Sequence, residues 1–151
     1  MNYKELEIRS PEEILQWACK EFADQVLMAS SFGMEDMVLI DMNSKLDQPI
    51  ALFTLDTGRL HEETYEIMDR VRSRYGFEIQ TFFPDRESVE KLVEGKGFFS
   101  FRESLKNRKE CCGIRKIEPL KRALQGRRAC RYLGESHHRQ PRPRIRDPRT
   151  A

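Results

Sequence analysis

Cysteine is scarce: there are four in 151 residues, Cys19, Cys111, Cys112 and Cys130. A secreted scaffold held by disulfides usually carries more of them, spread more evenly. Long apolar runs are also missing. None approaches the roughly 18 residues that a membrane span requires. The opening stretch MNYKELEIRS holds no apolar core of a secretory signal. The expectation is a cytoplasmic protein with no membrane partner. A large excess of one charge is absent too, since the net charge is only +2. That balance hides two unlike parts. Residues 1–125 hold 19 basic and 23 acidic residues, leaving −4, whereas 126–151 holds eight Arg against Glu135 and Asp147, leaving +6. The acidic body gives no reason to expect nucleic-acid binding.

What is present reads as alternating helices and strands. Ser10, Pro11 and Glu13 form a helix start, with Ser10 as N-cap, proline at the first helical position and Glu13 closing a capping box. Ile14, Leu15, Trp17, Ala18 and Phe22 follow at helical spacing. Two short apolar runs, 25–30 and 50–55, and the alternating stretch 77–82 read as strands. Helices are expected over 34–46, 60–75 with Gly76 as C-cap, 87–94 and 112–124, while 100–107 is ambiguous. The order predicts an α/β fold, a parallel sheet with helices on both faces. Two domains are expected: an α/β unit over 1–125 and an Arg/Pro-rich tail over 126–151. The tail has three Pro, no Lys and little to bury, and is expected to be disordered.

Ligands of such sheets bind beyond the carboxyl ends of the strands. Two polar loops lie there. Ser30, Ser31, Phe32 and Gly33 turn the first strand into a helix, whose N–H groups suit an oxyanion. The two serines add hydroxyl donors, and Gly33 permits close approach. The plain alternative is a βα turn whose serine caps the helix. After the second strand come Asp56, Thr57, Gly58 and Arg59. Arg59 can pair with an anion, Thr57 can donate, and Asp56 can accept from a sugar hydroxyl or an amine. A third signal is the adjacent pair Cys111 and Cys112, set among Lys106, Arg108, Lys109, Arg115 and Lys116. A disulfide between neighbouring cysteines is strained and rare. Cations favour thiolate, the form that ligates metal or attacks sulfur. His61 is expected on an exposed helix face, Cys19 in the core, and Trp17 with Phe22 in the core. His137 and His138 lack a third ligand and give little reason to expect a metal.

The three motifs together resemble the assimilatory sulfonucleotide reductases over about residues 10–129. Ser30 to Asp36 resembles that family's modified PP-loop. Leu52 to Leu60, with Glu63, Thr64 and Tyr65, resembles its second signature, and Cys111 to Lys116 followed by Pro119 and Leu120 resembles its cysteine-pair helix. The resemblance implies a PP-loop (adenine nucleotide alpha hydrolase-like) fold. The cysteine pair is similar to that of members holding a 4Fe–4S cluster, which mostly reduce adenosine 5'-phosphosulfate (APS). It implies Cys111 and Cys112 as cluster ligands and Lys116 as the catalytic cation between cluster and sulfate. Ser30, Ser31, Phe32, Gly33, Asp56, Thr57, Gly58, Arg59 and Arg115 are implied as substrate-binding. In the family reaction a C-terminal cysteine thiolate attacks the sulfate sulfur and AMP leaves. Thioredoxin then reduces the S-sulfocysteine and frees sulfite.

The sequence departs from that pattern at its end. It has no Cys-x-x-Cys, so two of four cluster ligands are present, and no Glu-Cys-Gly tail to supply the nucleophile. From Cys130 the text turns abruptly to Arg, Pro and His, as a shifted reading frame or a truncation produces. The expected function is therefore thioredoxin-dependent APS reduction in sulfate assimilation by family, with this exact chain inactive. The alternatives are a phosphoadenylyl-sulfate reductase or a non-catalytic nucleotide-binding remnant. An ATP pyrophosphatase of the same fold would carry a Gly-Gly-x-Asp-Ser loop, which is lacking.

Overall fold

The computed structural model describes residues 3–126. Cys130, His137, His138 and the rest of the Arg/Pro-rich segment after Gly126 lie outside them. A short helix α1 (Tyr3–Leu6), which the sequence reading did not place, precedes α2 (Pro11–Phe22). The start of α2 is fixed as expected. Ser10 Oγ accepts from the Glu13 N–H at 3.2 Å, and Glu13 Oε2 accepts from the Ser10 N–H at 2.9 Å. That main-chain bond, aided by Arg9, holds the Glu13 carboxyl below its ordinary range.

The chain continues through β1 (Leu27–Ala29), α3 (Met34–Asn43), β2 (Ala51–Leu55), α4 (Glu62–Tyr75), β3 (Ile79–Phe82) and α5 (Arg86–Lys96). The three strands form a parallel sheet in the order β1-β2-β3. Gly76, at φ 70°, ends α4 in the left-handed conformation that a glycine adopts without strain. The last part runs through a 3-10 turn (Ser100–Arg102), α6 (Leu105–Cys112), a π-helical turn (Gly113–Ile117) and α7 (Glu118–Leu124). The expected helix over 112–124 thus begins seven residues earlier. Ser104 is the reason: its Oγ accepts from the Asn107 N–H at 3.1 Å and caps α6.

Strand alternation divides the core. Met28 and Leu52 point to one face, where Leu15 and Ala18 of α2, Ile40 of α3 and Met68 and Val71 of α4 cover them. Leu15, Ile40 and Leu52 are fully buried, each contributing about 1.5–3 kcal/mol. Leu27 and Phe53 point to the other face, where Leu120, Ala123 and Leu124 of α7 pack with Leu55 and Phe82. Helices therefore cover both faces, three elements on one and chiefly α7 on the other. Asn43, wholly buried, clips α3 to the start of β2 through 2.8 Å bonds to both the C=O and the N–H of Ile50. Among the described residues no helix is long and apolar enough to cross a membrane.

Candidate functional site

The two loops leave neighbouring strands on the same side of the sheet. The Ser30 N–H donates to Phe53 O at 2.9 Å, and the Asp56 N–H donates to Phe82 O at 3.0 Å. Ser30 and Asp56 are thus the last groups held by the ladder, and both side chains are buried.

In the first loop, Asp36 sits at the third position of α3 and reaches back. Its Oδ2 accepts from the Ser31 N–H at 2.6 Å, from Ser31 Oγ at 2.8 Å and from Ser30 Oγ at 3.3 Å. Ser30 Oγ also accepts from the Phe32 N–H at 3.0 Å. These bonds hold Phe32 at φ 59°, a region a bulky residue rarely enters, while its ring is buried in the core. Both serine hydroxyls, expected as donors to a ligand, are turned onto Asp36. Neither serine caps α3 either. The N-cap is Gly33, which gives the first turn no side-chain bond, so main-chain N–H groups are what this loop presents to an anion.

In the second loop, Asp56 is 4% exposed. Its Oδ1 accepts from the Gly58 N–H at 2.7 Å and its Oδ2 from the Tyr65 hydroxyl at 2.8 Å. Asp56 therefore shapes its own loop and ties it to α4. The bond to Asp56 pushes the Tyr65 phenol above its ordinary value, about 10. Tyr65 should therefore ionise late in an ultraviolet pH titration, with the difference between wild type and Tyr65→Phe isolating it. Asp56→Asn should lower it toward the ordinary range. The raised value stabilises the fold below the ordinary phenol pKa, and that contribution is lost as pH rises through the raised one.

The third segment lies against the second. Cys111 is buried and Cys112 half-buried at the end of α6. The π turn follows, its Glu118 N–H donating to Gly113 O. Pro119 accounts for the irregularity: it has no N–H, and its ring crowds the carbonyl one turn back. The turn places Arg115 inside, 7% exposed, and leaves Lys116 exposed. Arg115 Nη1 donates to Thr57 O at 2.7 Å, while Nε has no partner among the described residues. A Cβ on Gly58, whose φ is 69°, would come within 3.2 Å of Arg115 Nη1. Arg59 stacks over Phe101 at 4.6 Å and donates from Nη2 to Phe98 O.

The structure thus brings Asp56, Thr57, Gly58 and Arg115 together and sets the serine loop on the adjacent strand end. Lys106, Arg108, Lys109 and Lys116 are exposed and make no ion pair among the described residues. Cys19 is apart, on α2, its thiol donating to Gln48 O at 3.3 Å. Burial pushes that thiol up. Trp17 and Phe22 pack edge to face at 5.5 Å beside the core. His61 is exposed as expected, but it is the N-cap of α4 rather than a residue on the helix face. Among the described residues no group of three or more His, Cys, Asp or Glu could hold a metal ion. Sequence reasoning missed two site contributors. Asp36 was signalled by an acid three residues after Gly33, and Phe101 lies in the aromatic run after Gly97.

A family model described as "Phosphoadenosine phosphosulfate reductase domain" matches residues 25–148. The adenosine 5'-phosphosulfate reductase of Pseudomonas aeruginosa (strain LESB58) is 50% identical over 121 residues, which cover 80% of this chain and 44% of that protein. The chloroplastic 5'-adenylylsulfate reductase 3 of Arabidopsis thaliana is 46% identical over 126 residues, covering 83% of this chain and 27% of that protein. The chain thus spans less than half the length of these curated relatives. A crystal structure of phosphoadenylyl-sulfate (PAPS) reductase from Candida auris, a phosphate complex, aligns with TM-score 0.66 and 29% identity, over 80% of this chain and 57% of that one. These matches bear out the resemblance carried by the three motifs: the chain belongs to the phosphoadenosine phosphosulfate reductase family and is similar to its APS-reducing members.

Proposed function

We propose that residues 1–125 form the nucleotide-binding unit of a cytoplasmic, thioredoxin-dependent APS reductase of sulfate assimilation, with 126–151 outside that unit. The observation that carries this reading is the bond from Arg115 to Thr57 O. It sets the cysteine-pair segment beside the strand-end loop of a family whose substrates are adenylyl sulfates. Main-chain N–H groups at the start of α3 receive an anionic oxygen. Asp56 and Tyr65 keep the second loop shaped, and Arg59 supplies a guanidinium. Thr57, Gly58 and the buried Arg115 line the same corner, and exposed Lys116 adds positive charge to the approaching sulfate.

In the proposed reaction a cysteine thiolate attacks the sulfate sulfur, forming an S–S bond. The S–O bond to the phosphate breaks, and AMP leaves with the electron pair. The dithiol of thioredoxin then reduces the S-sulfocysteine, itself becoming a disulfide, and sulfite is released. No described residue is placed to be that nucleophile. A 4Fe–4S cluster takes four thiolates, and the described site offers Cys111 and Cys112 alone. These two do not by themselves fit the cluster.

The 151-residue chain should therefore bind APS in a calorimetric titration yet release no sulfite with reduced thioredoxin. In competition it should prefer APS to the 3'-phosphorylated nucleotide. The opposite preference would favour the phosphoadenylyl-sulfate reading, and sulfite release would overturn the assignment of the nucleophile to residues absent from this chain.

A further inference from the structure

The segment after α5 carries three phenylalanines and an arginine that the proposed function leaves without a task. Phe98 and Phe99 are largely exposed, whereas Phe101 is half-buried. Phe101 is flanked by cations. The Arg59 guanidinium lies 4.6 Å from its ring centroid and that of Arg102 lies 5.5 Å away, with Arg102 also 4.4 Å over Phe99. The Phe99 and Phe101 rings are 6.3 Å apart and tilted by 50°. Arg59 is held a second time, through its Nη2 bond to Phe98 O. Neither Arg59 nor Arg102 has a carboxylate within ion-pair distance among the described residues.

An arginine on a strand-end loop ordinarily samples many rotamers, and ordering it on binding weakens affinity. Here a ring fixes the plane of the guanidinium and a carbonyl fixes its rotation. One Nη2 hydrogen is engaged, and the remaining N–H groups of the fork stay available. No carboxylate neutralises the charge. We propose that Phe101 is a positioning residue for substrate binding: with the Phe98 carbonyl it holds the Arg59 guanidinium in place at the carboxyl end of β2, ready for the anionic part of a sulfonucleotide. This rests on the reading of the site as a sulfonucleotide site. Phe101 touches Arg59 and acts through it.

The test uses the whole 151-residue chain as wild type, Phe101→Leu, Phe101→Tyr, Arg59→Gln and the Phe101→Leu/Arg59→Gln double variant, each titrated with APS by calorimetry. Phe101→Leu should weaken binding about tenfold, the scale of a partly desolvated cation–π contact, and Phe101→Tyr should stay within about twofold. In the Arg59→Gln background Phe101→Leu should cost nothing further. Equal losses in both backgrounds would mean that the ring only supports the fold, and undiminished binding by Phe101→Leu would also sink the proposal. A ligand-free readout separates this inference from the function it rests on. The Arg59 side-chain N–H resonance, identified by its loss in Arg59→Gln, should move toward the free-arginine position in Phe101→Leu. If wild type ignores APS, the proposed function fails and the resonance still reports whether Phe101 holds Arg59. A resonance that does not move overturns the positioning role.

Discussion

Asp36→Ala is expected to weaken APS binding by about a hundredfold or more and to lower stability by about 2–3 kcal/mol. The substitution removes a buried carboxylate that accepts three bonds, from Ser31 N–H, Ser31 Oγ and Ser30 Oγ. Two hydroxyls and an amide then lose their acceptor at once. The left-handed conformation of Phe32 loses the loop that stabilises it, and strain of this kind persists only while its surroundings enforce it. The start of α3 would no longer aim its N–H groups at one point. Asp36→Asn keeps the shape and one acceptor oxygen, so its losses should fall between wild type and alanine. Urea unfolding and APS calorimetry measure the two effects separately. Alanine binding within twofold of wild type would show that the serine loop does not receive the ligand.

Gly58→Val should be nearly as damaging, for a different reason. Gly58 has φ 69°, and a side chain there costs about 1–2 kcal/mol in backbone strain. Its Cβ would also press on Arg115 Nη1 at 3.2 Å. The guanidinium must then give way by a few tenths of an ångström, and the valine methyls press it further, which weakens the only hydrogen bond this buried charge makes among the described residues. Together the two effects should lower stability by about 2–4 kcal/mol and weaken APS binding more than tenfold. Arg115→Lys separates them, since it breaks the bidentate-capable fork without touching the backbone. It should reproduce most of the loss in binding with less loss in stability. A Gly58→Val protein that unfolds and binds like wild type would contradict the tie between the second and third motifs.

These effects lie at different depths of legibility. The capping box of α2, the strand runs and the Gly76 stop are written in neighbouring residues, so periodicity and turn chemistry place them within a few positions. The carboxyl-end loops follow from strand order alone. Contacts across the chain are not written locally. Arg115 and Thr57 are 58 residues apart, and Arg59 and Phe98 are 39 apart. Nothing near Ser30 or Ser31 says that their hydroxyls face inward to Asp36 rather than outward to a ligand. The expected helix over 112–124 shows the same limit. Ser104 signals an earlier start, and the basic run 106–109 conceals it by lacking an apolar stripe.

The π turn between α6 and α7 fixes the spacing of this region to the residue. α6 and α7 follow one another through this turn, whose wider ladder inserts one extra position between them, and each helical residue turns the chain by about 100°. The offset lets α6 bury Cys111 while α7 lays Leu120, Ala123 and Leu124 on the sheet. A one-residue deletion at 113–117 cannot satisfy both. If α7 keeps its seat, the thiols swing away from the loop that Arg115 reaches, and if the thiols stay, the apolar edge of α7 rotates off Phe53. A substitution here acts at its own side chain, as at Arg115, whereas an insertion or deletion shifts everything that follows, so any descendant that keeps both faces must keep this segment's length.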